Sequence, residues 1–103
     1  MNVTFDNNIP IYLQVLEYIK IYIMSGVFKC GEKLPSVREF SNSFKVNPNT
    51  MQKALAELES LNLIYTERTN GKYVTKDVKV VEKLKDEYAL TLAKSWTRES
   101  RFY

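Results

Sequence analysis

The chain of 103 residues contains no histidine and only one cysteine, Cys30. A single cysteine excludes an intramolecular disulfide, and the usual zinc-site patterns of cysteine and histidine are absent. The sequence also has no phosphate-binding glycine loop, no dinucleotide-binding glycine pattern and no glycine-flanked nucleophile. Its carboxylates fall beside lysines on charged helix faces, where solvation accounts for them. We therefore expect no enzyme activity, no cofactor and no metal site.

Long apolar runs are also missing from the sequence. No uninterrupted stretch approaches membrane-spanning length, and the start of the chain lacks the basic and apolar segments of a secretory signal. These absences predict a cytoplasmic protein without a membrane partner. The net charge is only +3, so overall charge does not by itself indicate nucleic-acid binding. A partner of that kind has to be inferred from the local arrangement of residues.

Two helix starts lie close together in the middle of the chain. Ser36 and Glu39 have the spacing of a capping box, in which each side chain accepts a hydrogen bond from the other residue's backbone N–H. Asn47 and Pro48 predict a second start, with Asn47 as the N-cap and Pro48 at the first helical position. Only residues 44–46 separate the two helices, which is the turn length of a helix-turn-helix motif.

The second predicted helix, over about residues 48–60, has an apolar face and a polar face. The apolar face is formed at helical spacing by Met51, Leu55, Leu58 and Leu61. The outward residues near its start include Asn49 and Gln52, whose amides can form two hydrogen bonds with adenine. No acidic residue occurs between positions 40 and 56, so nothing there repels phosphate. The helix therefore suits the second position of a helix-turn-helix, where it would lie in the DNA major groove. An ordinary helix hairpin with a solvated polar face fits the same spacing.

A β-hairpin is predicted after the second helix. Residues 63–68 and 72–75 read as two strands, and Asn70-Gly71 between them is a strong hairpin signal. A helix-turn-helix followed by a hairpin is a winged helix, with the wing over about residues 63–75. The predicted fold class is therefore mainly α with a small β-hairpin, and residues 1–75 form the predicted winged helix-turn-helix domain.

The N-terminal segment predicts a supporting helix with a core-facing apolar stripe. The stripe consists of Tyr12, Val15, Leu16, Ile19, Tyr22 and Ile23. Asp6, Asn7 or Asn8 is expected to cap this helix, and Ser25-Gly26 is expected to end it.

A last helix, capped by Asp77, is predicted within residues 76–103. It carries an apolar stripe at helical spacing: Val81, Leu84, Tyr88, Leu92 and Trp96. The winged domain is too small to cover a stripe of this length, so a second copy of the chain is the expected cover. Packing back onto the chain's own winged domain is the alternative. The segment after Thr75 is also expected to be too short for a separate ligand-binding domain.

Five short motifs occur in an order and spacing that resemble one known family. They are Ile-Pro-Ile-Tyr-Leu-Gln at 9–14, Gly-Glu-Lys-Leu-Pro-Ser-Val-Arg-Glu at 31–39, Val-Asn-Pro-Asn-Thr at 46–50, Ala-Leu-Ala-Glu-Leu-Glu at 54–59 and Gly-Lys-Tyr-Val at 71–74. Together they resemble the GntR family of bacterial transcription regulators over residues 9–75, and the remainder is similar to the short YtrA-type branch. The resemblance implies a homodimeric repressor that binds a near-palindromic operator in double-stranded DNA. It assigns no small-molecule effector, and it implies that the C-terminal helix forms the dimer interface.

The resemblance also implies which residues contact DNA. Arg38 stands at the motif position of a DNA-contacting arginine, and near a helix N-terminus its charge opposes the macrodipole unless an anion lies close by. Asn49 and Gln52 are the hypothesised base readers. Lys45 and Asn62 stand where the family often has glycine, which predicts a left-handed conformation at both. The full predicted DNA-binding set is Ser36, Arg38, Asn47, Pro48, Asn49, Thr50, Gln52, Lys53, Arg68, Asn70, Gly71 and Lys72.

Two other functions fit a winged helix: a module for protein contact only, and a plasmid or phage replication initiator. A protein-contact module gives no special reason for the exposed amides of Asn49 and Gln52. A replication initiator ordinarily requires further domains. A near-palindrome in the promoter of the chain's own gene distinguishes a repressor from both.

Overall fold

The computed structural model describes the backbone of residues 4–100 and the side chains of residues 4–90. The elements follow one another as α1 (Ile11–Met24), α2 (Val37–Phe44), α3 (Pro48–Ser60), β1 (Ile64–Glu67), β2 (Gly71–Val74) and α4 (Val78–Ser100). The two strands pair antiparallel. This order confirms the predicted winged helix-turn-helix with a C-terminal helix. None of the helices within residues 4–100 is long and apolar enough to cross a membrane.

The core lies where α1 packs against α3 and α2 closes over both. Its helical side chains are Val15, Leu16, Ile19, Ile23, Phe40, Phe44, Met51, Ala54, Leu55 and Leu58. The Phe40 ring meets the Phe28 and Phe44 rings edge to face, with centroids 5.7 and 5.9 Å apart. The ring quadrupole favours this geometry over face-to-face stacking. These contacts fasten α2 to the loop that follows α1, while the α3 side chains Met51, Leu55 and Leu58 complete the core.

Left-handed residues end both helices of the motif, as predicted. Lys45 has a φ of 57° at the end of α2, and Asn62 has a φ of 62° just after α3. The prediction for Leu61 was wrong, because this residue is 46% exposed. Leu61 is the C-cap of α3, so it no longer follows the helical stripe. The turn at Asn62 returns the chain to the core at Leu63, which is buried.

The starts of α2 and α3 are capped as predicted, but the start of α1 is not. Pro10 is the N-cap of α1, and it offers no side-chain hydrogen bond. The predicted cap Asp6 closes a local turn instead, accepting a hydrogen bond from the Asn8 backbone N at 2.9 Å. Gln14 then ties this turn to α1, donating to the Asp6 carbonyl oxygen at 2.7 Å. The cap prediction failed because a proline at the helix start separates the polar residues from the first turn.

The wing is braced by the loop that precedes α2. The hairpin turn consists of residues 68–70, and Gly71, with a φ of 105°, is the first paired residue of β2. The predicted hairpin is therefore confirmed, but Asn70-Gly71 is not a two-residue turn between the strands. On the other edge of β2, the Leu34 backbone N donates to the Lys72 carbonyl oxygen at 2.8 Å. This pairing fixes the wing relative to the start of α2.

The first turns of α4 pack onto the chain's own winged domain. Asp77 caps the helix as predicted, accepting from the Lys79 backbone N at 3.0 Å. Val81 is only 5% exposed and belongs to the core, and Leu84 packs partly buried against it. Val81 was therefore wrongly assigned to a surface that faces a partner. Tyr88 is 39% exposed, whereas the predicted stripe residues Leu92 and Trp96 lie outside the described side chains.

Candidate nucleic-acid interface

The buried stripe of α3 determines which of its side chains face solvent. Met51, Leu55 and Leu58 are buried against α1 and α2, as predicted. Asn49 and Gln52 consequently lie on the exposed side of the first turns. Within residues 4–90 neither side-chain amide takes part in a hydrogen bond. Their donors and acceptors are therefore available to an external partner.

The start of α3 is held by a residue from the same predicted set. The side-chain oxygen of Asn47 accepts a hydrogen bond from the Asn49 backbone N at 2.8 Å, and Pro48 occupies the first helical turn. An N-cap of this kind contributes about 1 kcal/mol to helix stability. The Asn47 oxygen is thus engaged in positioning α3, which leaves its amide nitrogen for outside contacts.

The start of α2 presents an arginine above a complete capping box. The Ser36 hydroxyl oxygen accepts from the Glu39 backbone N at 3.1 Å, and a Glu39 carboxylate oxygen accepts from the Ser36 backbone N at 3.2 Å. Arg38 lies exposed between them and forms no salt bridge within residues 4–90. A cation in the first turn is unfavourable for the helix macrodipole. An external anion beside Arg38 would remove that penalty.

Lys53 lies one turn after Asn49 and is held against α1. Its Nζ is 4.0 Å from the centroid of the Tyr12 ring, over the ring face. A shallow depression between the two helices is lined by these residues together with Ile11, Asn49 and Thr50. The predicted residues Asn49, Thr50 and Lys53 therefore share one surface. Tyr12, assigned from the sequence to the core stripe, borders the same surface and is only partly buried.

The wing contributes less to this surface than the sequence suggested. Arg68 and Asn70 are exposed at its tip, where the Asn70 side-chain nitrogen donates to Glu67 at 3.2 Å. Lys72 is instead turned toward α3, with its Nζ 3.6 Å from a Glu59 carboxylate oxygen and 2.9 Å from the Thr66 hydroxyl. In this arrangement the Lys72 charge is shared with an acid of the chain itself. Gly71 follows this tip and begins β2 with a positive φ.

The helix-turn-helix, its supporting helix and the wing correspond to one family of regulators. Residues 11–74 match the model of the bacterial regulatory proteins of the gntR family. The chain belongs to the GntR family. It is accordingly a helix-turn-helix transcriptional regulator, and the matched range includes every residue of the predicted DNA-binding set.

Relatives within the GntR family agree with this assignment. The HTH-type transcriptional repressor YtrA of Bacillus subtilis (strain 168) is 43% identical over 70 residues, which are 68% of this chain and 54% of YtrA. The chain thus spans about half the length of that relative. A GntR family transcriptional regulator from Listeria monocytogenes has a similar solved structure, with a TM-score of 0.87 and 43% identity, covering 92% of this chain and 83% of that one.

A further solved structure contains DNA. The DNA-binding domain of AraR in complex with operator ORR3 has a TM-score of 0.63 and 31% identity, covering 73% of this chain and 88% of that chain. An operator-bound domain is therefore among the solved structures that this GntR chain resembles.

One residue that borders the candidate interface was not predicted from the sequence. Tyr12 lies at the edge of the apolar stripe of α1, so its spacing alone indicates a core residue. Its position next to α3 depends on the packing angle between two helices that are far apart in sequence. The one available signal was the tyrosine ring itself, whose face can attract a cation.

Proposed function

We propose that this GntR-family chain is a homodimeric repressor that binds a near-palindromic DNA operator. In this proposal, α3 enters the major groove and its side chains Asn49 and Gln52 contact base edges. Arg38, Thr50 and Lys53 contact the phosphates on either side, and the wing tip at Arg68 and Asn70 contacts the adjacent backbone. The division into a DNA-binding part, residues 1–75, and a dimerisation segment, residues 76–103, belongs to the same proposal.

The observation that carries the proposal is the combination found at the start of α3. Two amides without intramolecular partners stand on the exposed side of a helix whose opposite side is buried. A basic side chain flanks them, and the sequence from 40 through 56 contains no carboxylate that would repel phosphate. Asn and Gln match the donor and acceptor pattern of adenine in the major groove. A surface made only for protein contact does not require this pairing of amides with uncompensated positive charge.

The comparisons with relatives support the operator and repressor parts of the proposal. The AraR domain is bound to operator DNA in the solved complex, and YtrA is named a transcriptional repressor. A regulator that binds chromosomal operators acts in the cytoplasm of a bacterium, so we infer that location as well.

The dimer part of the proposal rests on the exposed portion of α4. This helix has 23 residues, which corresponds to about 35 Å of helix at 1.5 Å per residue. Val81 and Leu84 anchor its start in the winged domain, and Tyr88 stands one turn later with 39% of its surface exposed. An amphipathic helix extending past its own domain is covered most simply by the same helix of a second copy.

Selection of bound sites from random duplex DNA tests the proposal with the full chain. We expect enrichment of one motif with two inverted half-sites, whose centres are about one helical turn, or 10 base pairs, apart or a multiple of it. A half-site without its inverted copy would contradict the dimer. If no motif is enriched at protein concentrations where circular dichroism verifies that the chain is folded, operator binding is contradicted altogether.

A further inference from the structure

The Lys53 ammonium is held by an aromatic ring rather than by a carboxylate. Its Nζ lies 4.0 Å from the Tyr12 ring centroid. Within residues 4–90 Lys53 forms no salt bridge, although Lys20 and Lys72 each form one. The Lys53 side chain is therefore restrained in position while its charge stays uncompensated.

This restraint has a consequence for binding of an anion. A lysine side chain is a flexible stem with a point charge at its end, so fixing it on contact with a ligand costs conformational entropy. A ring face attracts the ammonium through its quadrupole without neutralising it. The ring therefore places the charge before the ligand arrives. A carboxylate partner would restrain the stem equally well, but it would compete with the ligand for the charge.

The ring belongs to a different helix from the lysine that it restrains. Tyr12 lies in the first turn of α1, and Lys53 lies in the second turn of α3. Both line the depression that also contains Asn49 and Thr50. The position of the Lys53 charge relative to the Asn49 amide thus depends on the packing of α1 against α3.

We propose that Tyr12 is a positioning residue of the DNA-binding surface, and that its ring holds the Lys53 ammonium ready for a DNA phosphate. This proposal rests on the function proposed above, since it requires duplex DNA as the ligand. It assigns the effect of Tyr12 to the ring, and no part of it to the hydroxyl group. The effect does not depend on base sequence, because a phosphate is present at every step of the duplex.

Substitution of Tyr12 separates the ring from the hydroxyl. We expect Tyr12→Leu to weaken binding by about two- to tenfold, the entropic cost of ordering one long side chain on binding, on operator and on unrelated duplex alike. Tyr12→Phe is the matched control: it keeps the ring face and should bind as wild type does. Equal losses in both variants would show that the hydroxyl contacts DNA directly, and wild-type affinity of Tyr12→Leu would show that the ring has no positioning role. Thermal unfolding of each variant identifies any loss that is due to instability.

A double-mutant cycle tests whether Tyr12 acts through Lys53. In a Lys53→Gln background, Tyr12→Leu should cause no further loss of affinity, because the charge to be positioned is already absent. Additive losses would overturn the proposal.

A measurement without DNA keeps this test separate from that of the proposed function. The ring current of Tyr12 should shift the Lys53 Cε proton resonances upfield in wild type and in Tyr12→Phe, and Lys53 resonances at ordinary shifts would overturn the proposed placement. If the wild-type chain bound no duplex at all, the function proposed above would fail, whereas an upfield shift would still establish the contact between Tyr12 and Lys53.

Discussion

Asn49 and Gln52 are free for base contacts because neighbouring residues perform the structural tasks at the start of α3. The Asn47 oxygen supplies the cap, and the side chain of Met51 fills the core. The same division occurs in α2, where Ser36 and Glu39 form the capping box and leave Arg38 without a task inside the protein. At the residue scale, the two proposed base-reading amides and the Arg38 guanidinium are groups that the fold does not use.

Arg38 is expected to contact a phosphate and to read no base. Arg38→Ala should therefore weaken binding by a similar factor on the operator and on unrelated duplexes. The slope of log affinity against log salt concentration should become shallower by about one unit, since one phosphate contact is lost. Titrations at several salt concentrations measure both quantities. An unchanged slope together with reduced sequence preference would assign Arg38 to a base instead.

The elements of the motif were predictable because their signals are local. The capping box and the Asn47-Pro48 pair fix two helix starts from residues only a few positions apart. Asn62 likewise ends α3 through its own tolerance of positive φ. These features depend on the chain within one turn, so the sequence alone was sufficient to identify them.

The features that were not predicted depend on contacts between segments that are far apart in the sequence. The pairing of the loop at Leu34 with β2, and the approach of Tyr12 to Lys53, both join residues about 40 positions apart. Val81 continues the stripe of α4 in sequence, but it is buried because the start of α4 packs against α1 of the winged domain. Helical spacing identifies an apolar stripe without identifying the surface that covers it.

The wing and α3 are joined by the ion pair between Lys72 and Glu59, which limits what Lys72 can offer to DNA. The pair is partly exposed, with a distance of 3.6 Å, so it contributes at most about 1 kcal/mol to stability. Glu59→Gln should release the Lys72 charge, raise the affinity for any duplex and steepen the salt slope by less than one unit. Salt titrations of the variant against wild type measure the change.

Glu57→Gln is the matched control for that experiment, because it removes the same charge from the same helix. Glu57 is exposed and forms no salt bridge within residues 4–90. The difference between the two variants isolates the ion pair from the general effect of net charge. Equal gains in both variants would mean that Lys72 is not restrained by Glu59. Weaker binding by Glu59→Gln would mean that the pair holds the wing in its binding position.

At the scale of the whole molecule, α4 connects the DNA-binding surface to the proposed dimer. Its first turns belong to the winged domain through Val81 and Leu84, so removal of the helix would also disturb the core. A substitution further along the helix is the cleaner test of association. Tyr88 lies on the predicted stripe, and Leu90 lies about 200° around the helix from it. Both side chains are exposed within the single chain.

Tyr88→Lys should shift the protein from dimer to monomer, because each two-fold dimer would lose two buried rings. Burial of one large apolar side chain is worth about 1.5–3 kcal/mol, so the dissociation constant should rise by at least about tenfold. Leu90→Lys is the matched control and should leave association unchanged. Sedimentation velocity over a range of concentrations distinguishes the two variants. Dissociation by Leu90→Lys and not by Tyr88→Lys would place the dimer surface on the opposite face of α4.

The central claim is that two copies of α3, related by a two-fold axis, read the operator through Asn49 and Gln52. The most direct measurement is a binding profile over all single-base variants of the selected operator, for wild type, Asn49→Ala and Gln52→Ala. Each good two-point contact discriminates by about 1–3 kcal/mol. Each substitution should therefore remove about ten- to a hundredfold of preference at one symmetric pair of positions, with non-specific affinity nearly unchanged. If both variants keep the wild-type profile, the amides do not read bases, and the wing or the shape of the DNA carries the specificity.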